Sequence, residues 1–251
     1  MYLSDKIYYK IKFRKSQYHY ERNFYIMKIT WISQAGLLFE KNGFTVMIDP
    51  YLSDSVGKID QRKHRRVDVL EKLFDITPDV MIFTHDHLDH YDPETVERFI
   101  GKDTAITVLS PSSVYKEVRK LGGDNNYVLF DPHTSWTEGG IRFTSVKAEH
   151  SDPYAIGVII DDGEKKYYVT GDTLYNEDIF ADIPDDIFAV FLPINGVGNN
   201  MNMTDAKRFC ERVGAKYAVP LHCGLFDAID MNEFDVENKI VPNFYKEVIF
   251  E

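Results

Sequence analysis

Residues 80–90 read Val-Met-Ile-Phe-Thr-His-Asp-His-Leu-Asp-His, an apolar run followed at once by a dense group of metal-binding side chains. Because alternate residues of an extended segment share a face, His85, His87 and Asp89 can converge, while the turn into the next helix brings His90 round to them. The chain holds only 8 histidines in 251 residues, so chance produces this pattern in well under about 1 % of chains of such composition. The stretch therefore predicts two sets of metal ligands at the end of a strand.

Further candidate ligands follow downstream, each after a predicted strand. His150 follows the run 145–149, Asp172 follows 168–171, and His222 follows 219–221. A single histidine or Gly-Asp pair in such a position is more often a structural residue or part of a turn, so the ordered set carries the signal. Three histidines have no motif context and are interpreted as structural: His19, His64 and His133.

The hydrophobic pattern predicts a mixture of strands and helices from Met27 onwards. Apolar runs at 28–32, 36–40 and 44–49, with the turn Lys41-Asn42-Gly43, predict a β-meander. Alternating units follow, with strands at 80–83, 105–109 and 127–130 and helices at 93–100 and 112–121. The second half repeats the plan, with strands at 141–147, 155–161, 166–170, 187–193 and 217–221 and a helix over 204–213. Thr204 is the predicted N-cap of that helix, and Gly214 lies near its end.

Composition narrows the class of protein. The content of hydrophobic residues is 44 %, and no apolar run is long enough for a membrane span or a signal peptide, so a cytoplasmic location is expected. The net charge of -11 argues against nucleic-acid binding, which needs an excess of Lys and Arg. Only Cys210 and Cys223 occur, which predicts no disulfide framework and two reduced thiols.

The first 26 residues differ from the rest of the chain. They hold six of the 16 Tyr and six Lys or Arg against two acids, and Met27 then begins a regular alternating strand. We expect Met27 to be the true start, with residues 1–26 as a non-native extension; the alternative is a basic, Tyr-rich arm that docks a neighbouring subunit of a homo-oligomer. No linker divides the remainder, so residues 27–251 are predicted to form a single domain.

The order His85-x-His87-x-Asp89-His90, then His150, Asp172 and His222, resembles that of the metallo-β-lactamase-fold hydrolases from about Met27 to the C-terminus. The resemblance implies an α/β (α+β) fold, a four-layer αβ/βα sandwich with two metal ions at one edge. It also implies that every member of the motif is a metal ligand. The first ion would be bound by His85, His87 and His150, the second by Asp89, His90 and His222, and Asp172 would bridge the two. Asp49, in Ile48-Asp49-Pro50, would support a ligand rather than bind metal.

Within that superfamily the chain is most similar to the L-ascorbate-6-phosphate lactonase-like branch. The likeness rests on residues 84–90, on Gly171-Asp172-Thr173-Leu174-Tyr175, and on Met203-Thr204-Asp205-Ala206 leading to Pro220-Leu221-His222. Residues 29–32 and 49–53 fit the same branch. The resemblance implies a metal-dependent hydrolase that acts on a lactone or ester of a small acid, with or without a phosphate group.

The expected mechanism needs no Ser or Cys nucleophile. Two cations about 3.5–4 Å apart lower the pKa of a bridging water to near neutrality and stabilise the charge of the transition state. Asp89 or Asp172 would relay the proton. Imidazole and carboxylate ligands without thiolate suit Zn²⁺, Mn²⁺ or Fe²⁺, and these three alternatives stay open.

Candidate substrate contacts come from loops near the predicted metal edge. The amide-rich loop 195–202 offers Asn195, Asn200 and Asn202, although a plain connection is about as credible. Tyr175 follows Asp172 and would donate to a developing oxyanion, unless it is simply a packed aromatic. The basic run 58–66 offers Arg62 and Arg65 for a phosphate or carboxylate, whereas such a run is more often a solvated face.

Two other functions are weighed against the lactonase or esterase. A phosphodiesterase or nuclease of the same fold is disfavoured by the acidic charge and by the lack of an RNA-binding appendage. A non-catalytic sensor module usually lacks some ligands, whereas all seven are present here. The expected partner is a small-molecule substrate, with no nucleic acid and no membrane.

Overall fold

The computed structural model describes residues 26–101 and 105–251, so nearly all of the segment 1–26 lies outside the described residues. The described part forms four α-helices: α1 (Ser55–Ile59), α2 (Pro93–Phe99), α3 (Ser112–Val118) and α4 (Met203–Val213). It also forms twelve strands: β1 (Lys28–Trp31), β2 (Leu37–Lys41), β3 (Phe44–Ile48), β4 (Val80–Ile82), β5 (Thr107–Ser110), β6 (Asn126–Leu129), β7 (Ser135–Glu138), β8 (Ile141–Lys147), β9 (Ile156–Asp161), β10 (Lys166–Val169), β11 (Ile187–Pro193) and β12 (Tyr217–Leu221). Short 3-10 helices cover Gln61–Lys63, Glu71–Asp75, Arg119–Leu121, Glu177–Asp182 and Met231–Glu233.

The strands form two six-stranded mixed sheets of similar plan. The first has the order β1-β2-β3-β4-β5-β6 and the second the order β12-β11-β10-β9-β8-β7. In each sheet the early strands pair antiparallel and the later ones parallel. Asn42 and Gly43 both have positive φ in the turn between β2 and β3, which suits the right-handed twist of a hairpin. The similarity of the two halves that the sequence predicts is confirmed.

Three groups of buried side chains define four layers. The central group lies between the sheets and joins, for example, Phe39 and Ile82 of the first sheet to Phe143 and Phe191 of the second. A second group packs α4 on the outer face of the second sheet, and a third packs α2 and α3 on the first. Fully burying an apolar side chain of this size stabilises the fold by about 1.5–3 kcal/mol. The four-layer αβ/βα sandwich is therefore confirmed.

Several local features differ from the sequence prediction. No strand is predicted between residues 130 and 141, yet β7 pairs there with β8 at the sheet edge, where its half-exposed side chains give little hydrophobic signal. Helix α1 is not predicted either, since it is only five residues long. The N-cap of α4 is Asn202, which accepts a hydrogen bond from the Asp205 N–H, so Thr204 lies inside the first turn.

From the sequence we expect neither a membrane span nor a disulfide framework. Within residues 26–101 and 105–251 no helix has the length and apolarity needed to cross a membrane. Cys210 and Cys223 are free and buried, and burial raises the pKa of each thiol to about 12. Gly214, which the sequence places near the end of this helix, is the C-cap of α4 and has a left-handed conformation.

Candidate metal centre

Loops at the ends of strands from both sheets bring the seven candidate ligands to one edge of the sandwich. The histidine-rich loop follows β4, and the remaining three side chains follow strands of the second sheet. The potential ligand atoms within each of two groups lie within 4.8 Å of one another. The first group comprises His85, His87, His150 and Asp172, and the second comprises Asp89, His90 and His222. Asp172 connects the groups, because its Oδ2 lies 3.2 Å from Nε2 of His222.

In the first group, His87 and His150 each point one ring nitrogen at the other histidine and the opposite nitrogen at an oxygen atom. His150 Nε2 lies 3.2 Å from His87 Nδ1, while His150 Nδ1 lies 3.3 Å from the carbonyl oxygen of Asn199. On its far side, His87 Nε2 lies 3.3 Å from the Ser151 hydroxyl. Histidines that bind metal typically hold the outer N–H in this way, which leaves the inner nitrogen free of its proton.

Asp49 and Thr84 orient His85 and His90 from behind. The Thr84 hydroxyl donates to Asp49 Oδ2 at 2.5 Å, so the Thr84 hydroxyl oxygen can in turn accept from His85 Nδ1 at 3.0 Å. His90 Nδ1 donates to Asp49 Oδ2 at 2.8 Å. His85 Nε2 is left buried without a hydrogen-bond partner among the described residues. A buried polar atom without a partner is costly, so its presence at the centre of the ligand group fits a bound cation.

Burial and charge set the protonation of the imidazoles. Burial, reinforced by His90, holds the pKa of His85 well below its ordinary value. Burial also opposes charge on His90, but Asp172 and Asp49 outweigh it and hold the pKa of His90 well above its ordinary value. In the same way Asp172 and Asp89 overcome burial and raise the pKa of His222 to about 9. In the absence of metal, the protons on His90 and His222 therefore balance the charge of the nearby carboxylates, a role that a bound cation would take over.

The two carboxylates between the histidines are held in the ionised form. Burial alone would raise the pKa of Asp172, but the charges of His222 and His90 bring it well below its ordinary value. The pKa of Asp89 is lowered for the same reason, through its contact with His222. The donor set thus combines imidazole nitrogens with carboxylate oxygens and contains no thiolate, which fits Zn²⁺, Mn²⁺ or Fe²⁺.

Three carboxamides surround the second group. Asn200 Nδ2 donates to Asp172 Oδ2 at 2.8 Å. Gln34 and Asn195 each place a carboxamide nitrogen 3.0 Å from His222 Nδ1. The Oε1 of Gln34 is buried without a partner, so exchanging the amide oxygen and nitrogen would let Gln34 accept from a protonated Nδ1 of His222. That arrangement would leave His222 Nε2 available to a cation.

The backbone is strained at two positions of the site. Asp49 has φ 44° and His222 has φ 63°, a region that residues with a Cβ seldom adopt. Strained backbones of this kind cost about 1–3 kcal/mol each and gather at functional sites. Both residues lie directly after a strand, β3 for Asp49 and β12 for His222, so the sheet holds each side chain toward the cluster.

A cavity of about 480 Å³ opens beside the cluster. Asp89, Asp172 and His222 line one side of it, together with Gln34 and Asn195. A larger cleft of about 640 Å³ lies between α4 and the segment 235–239, but it contains none of the candidate ligands. Proximity to the ligand groups makes the smaller cavity the candidate substrate site.

The structure places the other predicted substrate residues away from this cavity or in structural contacts. Arg62 pairs with Asp60 at 2.9 Å, and Arg65 donates to the carbonyl oxygen of Tyr51 at 2.8 Å. Tyr175 donates its hydroxyl to Glu177, and this contact raises the pKa of Tyr175. These contacts leave Asn195 as the predicted substrate residue that lines the cavity, since Asn200 holds Asp172 and Asn202 caps α4.

No sequence motif marks Gln34 or the outer hydrogen-bond partners of the candidate ligands. Gln34 lies in the loop after β1 with no motif around it, and 188 residues separate it from His222. The oxygens of Ser151 and Asn199 were likewise not predicted. Of the histidines without a motif, His64 contacts Asp54 at 2.5 Å and His133 lies 3.5 Å from Asp182, both outside the cluster. His19 lies outside the described residues.

Comparisons with known proteins agree with this geometry. The family model described as "Beta-lactamase superfamily domain" matches residues 45–223. A UPF0173 metal-dependent hydrolase from Exiguobacterium sp. is 30% identical over 228 residues, which cover 81% of this chain and 88% of the relative. A UPF0173 protein from Pyrococcus furiosus is 27% identical over 223 residues, which cover 84% of this chain and 90% of the relative.

A solved structure shares the fold at lower identity. Igni18, a metallo hydrolase from Ignicoccus hospitalis, superposes with a TM-score of 0.72 at 20% identity. The superposition covers 90% of this chain and 98% of Igni18. At this identity the likeness concerns the arrangement of the sheets and helices.

Proposed function

This chain belongs to the beta-lactamase superfamily and is a metal-dependent hydrolase of the UPF0173 family, and on that premise we propose that it hydrolyses a lactone or ester of a small acid, with or without a phosphate group. One observation carries the proposal: seven imidazole and carboxylate side chains converge beside an open cavity, and His85 Nε2 among them is buried without a partner. The motifs shared with the L-ascorbate-6-phosphate lactonase-like branch support the choice of a lactone or ester.

We assign the ligands as two sets. His85, His87 and His150 would hold one divalent ion, Asp89, His90 and His222 a second, and Asp172 would contribute to both. When bound, such ions supply Lewis-acid activation of water and stabilise negative charge in the transition state. Zn²⁺, Mn²⁺ and Fe²⁺ are the candidates.

The remaining chemistry falls to the side chains of the chain itself. In hydrolysis the oxygen of water bonds to the acyl carbon, the acyl C–O bond breaks, and the released alkoxide takes the proton that the water loses. Asp89 is better placed than Asp172 to carry that proton, because its side chain is 19% exposed against 4% for Asp172. Asn200 and His222 hold Asp172 in place, whereas Asn195 lines the cavity and can donate to the substrate.

The substrate in this proposal is a small molecule. The net charge of -11 repels a phosphate backbone, which supports neither a nucleic acid nor an anionic membrane as partner. The cavity of about 480 Å³ falls within the range of about 300–1,000 Å³ that is usual for small-molecule sites.

The test combines metal analysis with a substrate panel. We expect the purified protein to contain close to two divalent ions per chain and, with that metal restored, to hydrolyse lactones or carboxylic esters faster than bis-p-nitrophenyl phosphate. A preference for the phosphodiester would instead identify a phosphodiesterase. His150→Asn should lose metal and activity, whereas the matched control His133→Asn should keep both, since His133 lies outside the cluster. Full metal content and activity in both His150→Ala and Asp172→Ala would overturn the ligand assignment.

A further inference from the structure

The cavity beside the candidate metal centre is lined by both polar and apolar side chains. Asp89, Asp172 and His222 line the ligand side. Six apolar side chains also line the cavity, namely Val56, Ile59, Leu88, Val197, Phe226 and Ile229. A lining that combines a few polar groups with apolar side chains is typical of small-molecule sites, in which the apolar side chains contact the body of the ligand.

Two apolar side chains at this cavity are unusually exposed. Ile59 is 80% exposed at the end of α1, and Val197 is 59% exposed in the loop after β11. The two residues come from the two halves of the sandwich and line the same cavity. Exposed apolar groups that gather at a concave site are typical of ligand contacts, whereas scattered ones carry no such meaning.

The charges at the cavity do not match a phosphorylated substrate. Among the described residues, Lys63 is the one lysine or arginine that lines it. Asp60 and Asp227 also line it; Arg62 pairs with Asp60, whereas the charge of Asp227 would repel an anionic group. Arg62 is engaged by Asp60, and Arg65 by backbone carbonyls, so neither offers the two-point grip with which arginine binds phosphate.

We propose that this cavity binds an uncharged apolar arm of the substrate, an alkyl, acyl or aryl chain, while the scissile ester or lactone group lies against Asp89, Asp172 and His222. The inference rests on the proposed function and narrows its substrate class to apolar, non-phosphorylated lactones and esters. Val56 and Phe226 would contact the arm inside the cavity, and Ile59 and Val197 would cover it at the mouth.

A binding measurement tests the cavity separately from catalysis. Methyl ketones resemble esters but cannot be hydrolysed, so the series from 2-butanone to 2-octanone can be titrated into the metal-loaded protein by calorimetry. We expect the Kd to fall about fourfold for each added methylene, which corresponds to ~0.8 kcal/mol. A Kd that does not change along the series would overturn the proposal.

Variants at the mouth of the cavity test where the ketone chain binds. The double variant Ile59→Ser with Val197→Ser should weaken 2-octanone binding about tenfold and leave 2-butanone unchanged, because only the longer chain reaches the mouth. Ile249→Ser is the matched control, since Ile249 is 62% exposed but does not line the cavity. All three positions are exposed, so the melting temperature should stay unchanged. Equal weakening by the control variant would contradict the assignment.

Kinetic measurements distinguish failure of the apolar-arm proposal from failure of the proposed hydrolase function. γ-Octalactone should be hydrolysed with a kcat/KM at least tenfold above that of the same lactone with a phosphate in place of its terminal methyl group. If the phosphorylated lactone is preferred, the apolar-arm proposal fails while the proposed hydrolase function stands. If ketones bind with the expected chain-length dependence but no lactone or ester is hydrolysed, the proposed function fails and the cavity assignment stands.

Discussion

Asp172 is the residue on which the site most depends. Its Oδ1 lies 3.2 Å from His90 Nε2, and its Oδ2 lies 3.2 Å from His222 Nε2 and accepts from Asn200. It is the one carboxylate in the first ligand group and also contacts the second. Its charge therefore stabilises every cationic group nearby, whether proton or metal ion.

Replacing Asp172 by Asn removes that charge with little change of shape. We expect metal affinity and kcat/KM each to fall by at least about 100-fold, because even the outer partners of metal ligands contribute 10–100-fold. Metal content after dialysis and initial hydrolysis rates measure the two effects. Asp186→Asn is the control, since Asp186 is an exposed residue that pairs with Lys166. Retention of metal by the Asp172 variant would contradict its place in the ligand set.

Asp49 is expected to act through its neighbours. It accepts from the Thr84 N–H at 2.8 Å, the Thr84 hydroxyl and His90 Nδ1. An Asn at this position has one acceptor oxygen fewer and no charge, so Asp49→Asn should lower metal affinity about 10–100-fold. A competition titration with a chromophoric chelator gives the affinity, and a circular-dichroism melt shows whether the fold is kept. If the variant binds metal as the parent protein does, the contact with His90 does not orient that ligand.

At the scale of elements, the site depends on how each strand ends. Gly171 follows β10 and has φ 60°, and a Cβ there would lie 2.8 Å from the carbonyl oxygen of Ile156 and 3.0 Å from Thr84 Cβ. The close approach brings the loop of Asp172 against the loop of Thr84. A side chain at this position must therefore move two loops that carry candidate ligands.

Gly171→Ala should consequently be more damaging than an alanine at another glycine with positive φ. Gly163, in the turn between β9 and β10, has φ 84° and nothing within 4 Å of its missing Cβ, so Gly163→Ala introduces the backbone strain alone, about 1–2 kcal/mol. We expect Gly171→Ala to lower the free energy of unfolding by more than that and also to reduce metal retention. Urea unfolding of the two variants makes the comparison, and equal losses of stability would argue against the steric account.

At the scale of the whole molecule, metal binding and pH should be linked. His90 and His222 have folded-state pKa values above the ordinary 6.5, about 9 for His222. Groups of this kind contribute stability that is fully present below pH 6.5 and is lost as the pH rises through the folded pKa. His85 and His150 have lowered pKa values and the two carboxylates are already ionised, so none of these changes charge between pH 6.5 and 9.

The metal-free protein should therefore become less stable from pH 6.5 to 9, while added metal should stabilise it more as the pH rises. A cation competes with the protons on His90 and His222, and a free concentration 100 times the Kd stabilises the folded state by about 2.7 kcal/mol. Melting temperatures with EDTA and with Zn²⁺ or Mn²⁺ across this pH range test the linkage. A metal-free protein whose stability rises toward pH 9 would contradict it.

Sequence pattern predicts the architecture well where the signal is local. The strands at 44–49, 80–83 and 187–193 are apolar because both of their faces are covered, and the structure confirms them within about two residues. The short helix α1 and the edge strand β7 carry too few buried side chains for such a signal. The omission matters, because α1 supplies Val56 and Ile59 to the candidate substrate cavity.

By itself, the sequence determined the sandwich architecture and the candidate ligands. Both can be read from local patterns, because the hydrophobic period of each element and the spacing within residues 84–90 extend over only a few residues. Only the tertiary structure decided what surrounds them. Gln34 meets His222 across 188 residues, and Ile59 and Val197 line the same cavity from different halves of the sandwich. Arg62 and Arg65, basic in the sequence, turn to Asp60 and to backbone carbonyls. Such contacts depend on how loops from distant strands pack at one edge of the sandwich, and a local sequence pattern does not contain that information.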